Sequence, residues 1–158
     1  MREPLDRQSD NVLTGLTRES AIRRDALGRW FHEGRLIGHP NIIRAFDRWI
    51  ARAEDGRYCL KNDFDWVYVA IEGAPLFVRS VTIGDYGAII LSLSDECDYA
   101  LQPESLRLGP DGVLYCDVRE KSMTARFDRS AMMKLEELID EDEKGIYLKL
   151  GDKLVRPP

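Results

Sequence analysis

Two spacings of apolar residues alternate along the chain and mark out its elements. Between Pro40 and Ala53 the apolar positions Ile42/Ile43, Phe46, Trp49/Ile50 and Ala53 recur at helical spacing, which predicts an amphipathic helix. Pro40 suits its first turn, where the missing backbone N–H costs nothing. Arg44, Asp47, Arg48 and Arg52 would form the outer face, with Asp47 within one turn of Arg44 and Arg48 as an ion-pair partner. A second helix is predicted over Arg129–Asp140, with Asp128 as its N-cap and Met132, Leu135, Leu138 and Ile139 as its apolar face. The acidic run Glu136–Glu143 then reads as the solvated side and tail of that helix.

Elsewhere the period is two. Trp30-Phe31-His32, preceded by Arg29, reads as a strand, Glu33-Gly34-Arg35 as a turn, and Leu36-Ile37 as the start of a return strand. After Gly56 the runs Arg57–Lys61, Trp66–Glu72, Leu76–Ile83 and Ala88–Leu93 predict strands, separated by Asn62-Asp63, Gly73-Ala74-Pro75 and the hairpin loop Gly84-Asp85-Tyr86-Gly87. Val113–Val118 and Met123–Phe127 follow with Arg119–Ser122 between them. Ile146–Leu150 and Leu154–Val155 close the chain around Gly151-Asp152. Many short strands with only two main helices predict an α+β fold with mostly antiparallel sheets.

Composition narrows the class. A chain of 158 residues, 44% of them apolar, can build a substantial core and is not intrinsically disordered. With 23 basic against 28 acidic side chains, the net charge of −5 speaks against a broad nucleic-acid footprint. No apolar run approaches the about 18 residues of a membrane-spanning helix, so no membrane insertion is expected. Met1–Asn11 mixes charges of both signs and has no apolar centre, unlike a secretory signal. Cys59, Cys97 and Cys116 are odd in number and lack CxxC spacing, so neither a disulfide framework nor a zinc site is indicated. Cys59 and Cys116 sit within apolar alternations and read as small core residues. A cytoplasmic location is the expectation.

A shift of 89 positions makes the halves rhyme. Glu54-Asp55-Gly56-Arg57-Tyr58 falls on Glu143-Lys144-Gly145-Ile146-Tyr147, and Ile43, Phe46, Trp49 and Ile50 fall on Met132, Leu135, Leu138 and Ile139. The expectation is a polar arm over 1–21 and two related β-hairpin–helix–β repeats, 22–75 and 76–158. Each is too small to bury both faces of a sheet alone, so they would pack together and leave a cleft at their junction.

Three blocks carry a family resemblance. They are Ile22-Arg23-Arg24-Asp25 with Gly28-Arg29-Trp30-Phe31-His32-Glu33-Gly34-Arg35-Leu36-Ile37, then Glu54-Asp55-Gly56-Arg57-Tyr58 with Glu72-Gly73-Ala74-Pro75, and Pro103-Glu104-Ser105-Leu106-Arg107. Together they resemble the bacterial domain-of-unknown-function 1285 family from about Ile22 onward. The chain departs from the family pattern by the extra pair Ala26-Leu27. The resemblance implies two related repeats, the second superficially pleckstrin-homology-like. It also implies a small, nucleotide-like ligand at the repeat interface and a signalling role, with no activity established for the family.

Catalytic constellations are wanting. His32-Glu33 is the most polar point of an apolar strand, but neighbouring strand residues face opposite sides and His39 offers no HxxxH spacing, so no metal site is predicted. Ser94-Asp95 lacks a GxSxG elbow, and neither a Walker loop nor GxGxxG is present. A phosphate would have to be held by arginines, with Arg35, Arg79, Arg107 and Arg119 in or beside strands as candidates. The ligand-binding set expected is Trp30, His32, Arg35, Glu72, Arg107 and Arg119, with no cofactor. A non-catalytic regulatory module is the first reading. The others are a protein-interaction adaptor using a pleckstrin-like sheet edge, and a hydrolase-type enzyme using His32 or Glu72.

Overall fold

The computed structural model describes residues 17–150 and 153–156, so most of the expected polar arm and the Gly151-Asp152 turn lie outside the described residues. The chain opens with an antiparallel meander of β1 (Ile22–Arg24), β2 (Trp30–His32) and β3 (Arg35–Leu36). The β2–β3 turn closes in two residues because Glu33 and Gly34 are both left-handed, at φ 51° and 79°, the sense that matches strand twist. Helix α1 (Pro40–Trp49) follows, capped by the His39 ring, which accepts from the Asn41 amide at 3.2 Å. A second meander of β4 (Ile50–Arg52), β5 (Tyr58–Lys61) and β6 (Trp66–Tyr68) leads to β7 (Ala70–Ile71), which returns beside β1 in parallel.

Two further meanders build the largest sheet. They are β8 (Leu76–Ile83), β9 (Ile89–Leu93) and β10 (Asp98–Ala100), then β11 (Arg107–Leu108), β12 (Leu114–Val118) and β13 (Met123–Phe127). Parallel pairing of β8 with β13 fuses them into six strands ordered β10-β9-β8-β13-β12-β11, a sheet that curls into a half-barrel. In β9, β12 and β13 every second residue is buried, the signature of a sheet with one face on a core. Helix α2 (Arg129–Glu136) packs on β8 and β13, its Asp128 N-cap accepting from the Ala131 amide at 3.0 Å. The meander β14 (Ile139–Asp142), β15 (Gly145–Leu150) and β16 (Lys153–Val155) ends the description. The architecture is α+β with mostly antiparallel sheets, as the pattern predicted. No helix of the described residues is long and apolar enough to cross a membrane.

Both helices are shorter than their apolar periodicity suggests. Ile50-Ala51-Arg52 pairs with Leu60, Cys59 and Tyr58, and Ile139–Asp142 pairs with β15. In each case a further helical turn would forfeit a three- or four-residue ladder, and at β4 it would also expose Ile50, which is buried. The run Trp66–Glu72 breaks at Val69, whose amide turns to the Tyr58 carbonyl at 3.2 Å. The starts of α1 and α2, Pro40 and Arg129, are 89 residues apart, and so are the starts of β4 and β14, Ile50 and Ile139. Ahead of the helices that register is lost: the same shift carries Trp30 onto Arg119, which lies in a turn. One continuous core runs from Trp30 and Ile50 through β8, β9, β12 and β13 to Leu135 and Leu148.

A charged group sits inside that core. Arg24 is fully buried and donates to the carbonyls of Ala74 and Pro75, the latter at 2.6 Å, with its guanidinium 4.8 Å above the Phe77 ring. Burial pulls its pKa down to about 10, against the opposing charge of Asp47. Asp47 does not lie on the outer face of α1 with Arg44 and Arg48. It is the buried residue of the helix, and its carboxylate accepts from the Trp30 indole at 2.8 Å. Burial pushes that carboxyl above the usual range, opposed by the Trp30 N–H and the charges of Arg79 and Arg24. Phe46 meets the Trp30 ring edge-on at 5.3 Å. Trp30→Phe keeps an aromatic ring and removes the donor. Hydrogen bonds to charged groups contribute about 1.5–3 kcal/mol, so urea unfolding of this variant should show a loss of at least that size with unchanged m-value. A loss below about 0.5 kcal/mol would mean that the Asp47 carboxylate has another partner.

Candidate functional site

The seam between α1–β4 and the six-stranded sheet is held by two turns. In the β12–β13 turn Arg119, Glu120 and Lys121 are all left-handed, at φ 53°, 56° and 70°, a conformation disfavoured for residues with side chains. Arg119 holds the turn in place through all of its guanidinium nitrogens. It donates to the Ile50 carbonyl at 2.9 Å, to Asp95 at 2.8 Å and to the Tyr99 hydroxyl at 3.2 Å. Tyr99 in turn donates to Asp95 at 2.7 Å, and Arg52 reaches the Ser122 carbonyl at 2.9 Å. In the second turn Glu96 accepts from Arg44 at 3.0 Å and from Arg48 at 3.2 Å, which makes it the partner these arginines have in place of Asp47. At these points the seam is filled by the protein's own ion pairs.

The six residues singled out from the sequence do not gather in one place. Trp30 is fully buried and bound to Asp47. His32 and Arg35 are cross-strand neighbours on the exposed β2–β3 hairpin, with His32 Nε2 3.6 Å from Glu33. Glu72 pairs with Arg23 at 2.9 Å. Arg107 bonds Asp117 at 3.0 Å and the Ser105 carbonyl at 2.9 Å, and Arg119 is locked in the seam. Among the described residues no group of three or more His, Cys, Asp or Glu is placed to hold a metal ion.

A groove of about 490 Å³ opens elsewhere, lined by Glu19, Ser20, Gly56, Arg57, Tyr58, Tyr68, Val69 and Ala70. Local structure explains its walls. The Ala53–Gly56 turn, closed by the Gly56 amide on the Ala53 carbonyl at 2.9 Å and permitted by Gly56 at φ 89°, launches β5 with Tyr58 at its head and Arg57 just before it. Tyr68 stands on the neighbouring strand opposite Cys59. The Arg57 guanidinium lies 3.6 Å above the Tyr68 ring and its fork donates to both Glu19 oxygens, at 2.8 and 2.9 Å. Tyr68 donates its hydroxyl to Asp55 at 2.7 Å, and Arg52 lies 4.6 Å above the Tyr58 ring. The Arg57 hydrogen bond holds the Glu19 carboxyl below the usual carboxylate range, and the Asp55 hydrogen bond raises the Tyr68 phenol. A guanidinium stacked on a tyrosine ring can hold an anion through its fork. Arg57 and Tyr58 stand in the block Glu54-Asp55-Gly56-Arg57-Tyr58 that the sequence itself marks out. At the head of an apolar run, Arg57 carries no local signal that separates it from Arg35, Arg79, Arg107 and Arg119.

The fold and this groove define an α+β protein of meanders and two helices with an arginine–tyrosine groove on one meander. The same fold occurs in solved structures of two DUF1285 family proteins. One, from Silicibacter pomeroyi DSS-3, is 18% identical over 88% of this chain and 80% of that one, with a TM-score of 0.68. The other, from Shewanella baltica OS155, is 17% identical over 77% of this chain and 94% of that one, with a TM-score of 0.60. At these identities the likeness is one of fold, and it supports the assignment to the DUF1285 family that the sequence blocks suggested. No family model and no curated protein matches the chain.

The seam carries its own pH signature. Burial, with the Asp95 hydrogen bond, pushes the Tyr99 phenol up to about 12 from 10. A raised folded-state value means that folding favours the neutral phenol. This contribution is present below pH 10 and is lost as pH rises from there toward 12. Tyr99→Phe should therefore flatten the fall in stability over that interval, measured by urea midpoints from about pH 8 to 11. An unchanged alkaline slope would place Tyr99 outside the linkage.

Proposed function

We propose that the chain is a non-catalytic regulatory or signalling module of two related units. In this reading it binds a small, nucleotide-like anion in the Arg57–Tyr58–Tyr68 groove. The observation that carries it is the Arg57 guanidinium stacked 3.6 Å above Tyr68 in a groove of about 490 Å³. A guanidinium fork meets phosphate or carboxylate oxygens two at a time, and the outer face of a guanidinium stacked on a tyrosine accepts a flat base in turn. The groove volume falls within the about 300–1,000 Å³ of small-molecule sites. Arg57 takes the phosphate-holding role that the sequence offered to Arg107 and Arg119, because it lines the groove and they do not. The equal spacing of the two helix–meander units supports duplication. The free, buried Cys59 and Cys116 suit a reducing compartment such as the cytoplasm. The adaptor reading has one observation in its favour, the edge strand β3 with Leu36 61% exposed.

Thermal unfolding with adenosine monophosphate, adenosine triphosphate and cyclic adenosine monophosphate tests the proposal. At about 100 times its dissociation constant a ligand adds about 2.7 kcal/mol, which at this chain length raises Tm by roughly 5–10 °C. The shift should vanish in Arg57→Ala and persist in Arg107→Ala. No shift with any of the three, or an equal shift in Arg57→Ala, would overturn the proposal.

A further inference from the structure

The groove already holds an anion of its own. We propose that Glu19 is a resident competitor for Arg57, so that an anionic ligand enters by exchange with the Glu19 carboxylate. The inference rests on the groove reading above and adds how that site is regulated. Glu19 grips Arg57 in the two-oxygen geometry that a ligand phosphate would use, at 2.8 and 2.9 Å. The side chains of both are about half exposed, 50% for Arg57 and 59% for Glu19, and exposed pairs of this kind are weak and easily exchanged.

The backbone on either side of Glu19 is fastened independently of that grip. The Arg18 carbonyl accepts from the Tyr68 amide at 2.7 Å, and the Ser20 hydroxyl donates to the Tyr68 carbonyl. The Arg18 guanidinium lies 4.7 Å above the Trp66 ring, donates to the Trp66 carbonyl at 2.9 Å and pairs with Asp65. The Glu19 side chain can therefore swing into solvent without peeling the segment from β6. Arg57 holds the Glu19 carboxyl below the usual range, so the competitor stays anionic at neutral pH. A phosphate ester carrying more than one negative charge outcompetes a carboxylate for the same fork, whereas a monocarboxylate has no advantage over Glu19. The exchange thus selects phosphorylated ligands over simple carboxylic acids.

Calorimetric titration of adenosine monophosphate into the wild-type chain, Glu19→Gln and Arg57→Ala tests this, with hydrogen exchange of the Tyr68 amide as a check on the segment. Glu19→Gln should bind about two- to fivefold more tightly, equivalent to about 0.4–1 kcal/mol, with the Tyr68 amide as protected as in the wild type. Arg57→Ala should not bind. In the wild type, ligand binding should raise the Glu19 carboxyl pKa, followed by NMR, toward its ordinary value. Equal or weaker binding by Glu19→Gln, with the Tyr68 amide still protected, would overturn the exchange and leave the groove reading intact. Binding by neither wild type nor Glu19→Gln would overturn both.

Discussion

A guanidinium removed from water needs acceptors and a counter-charge if it is to stay inside a folded protein. Arg24 meets most of that demand with the carbonyls of Ala74 and Pro75, the face of Phe77 and the charge of Asp47, while its buried Nε has no hydrogen-bond partner. Arg24 stands in β1, and these groups come from three other places in the chain: helix α1, the crossing into β8, and β8 itself. Trp30, from β2, completes the node through Asp47. Burying this one side chain therefore ties α1 to the first meander and ties both to the strand on which the six-stranded sheet is built.

The placement of the rest follows from that. With α1 fixed, Arg44 and Arg48 on its outer side face Glu96, and the chain leaving the helix as β4 presents the Ile50 carbonyl to Arg119. Three successive left-handed residues in the β12–β13 turn stand only where surrounding contacts over-determine them, and the Arg119 and Arg52 hydrogen bonds supply those contacts. The seam is thereby occupied by charges that the protein needs for itself. On the β5–β6 side of the second meander Arg57 has an exposed glutamate as its ion-pair partner. The Arg119 partner Asp95 is buried, whereas the Arg57 partner Glu19 is exposed and lines a groove; that difference is the physical ground for reading the groove and not the Arg119 seam as the place where a ligand enters.

Sequence alone was most legible where one sheet face is buried. In β9, β12 and β13 the alternation of apolar residues set both the strand and its buried face, and the Asp128 cap set the start of α2. The helix ends were illegible because Trp49/Ile50 and Leu138/Ile139 satisfy the helical and the strand period equally well, and the ladders that decide between them lie further along the chain. The inward turn of Asp47 is not legible locally, because a charged residue on a helix ordinarily points outward and its partner Trp30 lies in a strand before the helix. The arginines show the same limit. Nothing local to Arg119 announces Asp95 or Ile50, and nothing local to Arg57 announces Tyr68 or Glu19, so composition and spacing could nominate arginines without separating the engaged from the exchangeable.

The central claim is that Arg24 and Asp47 sustain each other in the core. It is tested most directly by a double-mutant cycle with Arg24→Met and Asp47→Asn, the latter chosen because the asparagine amide oxygen can still accept from Trp30. Each single variant removes one end of the charge attraction between Arg24 and Asp47, so the double variant should be more stable than the sum of the single losses predicts, with a coupling energy above about 1 kcal/mol by urea unfolding. Losses that add to within about 0.3–0.5 kcal/mol, as for independent sites, would contradict the account.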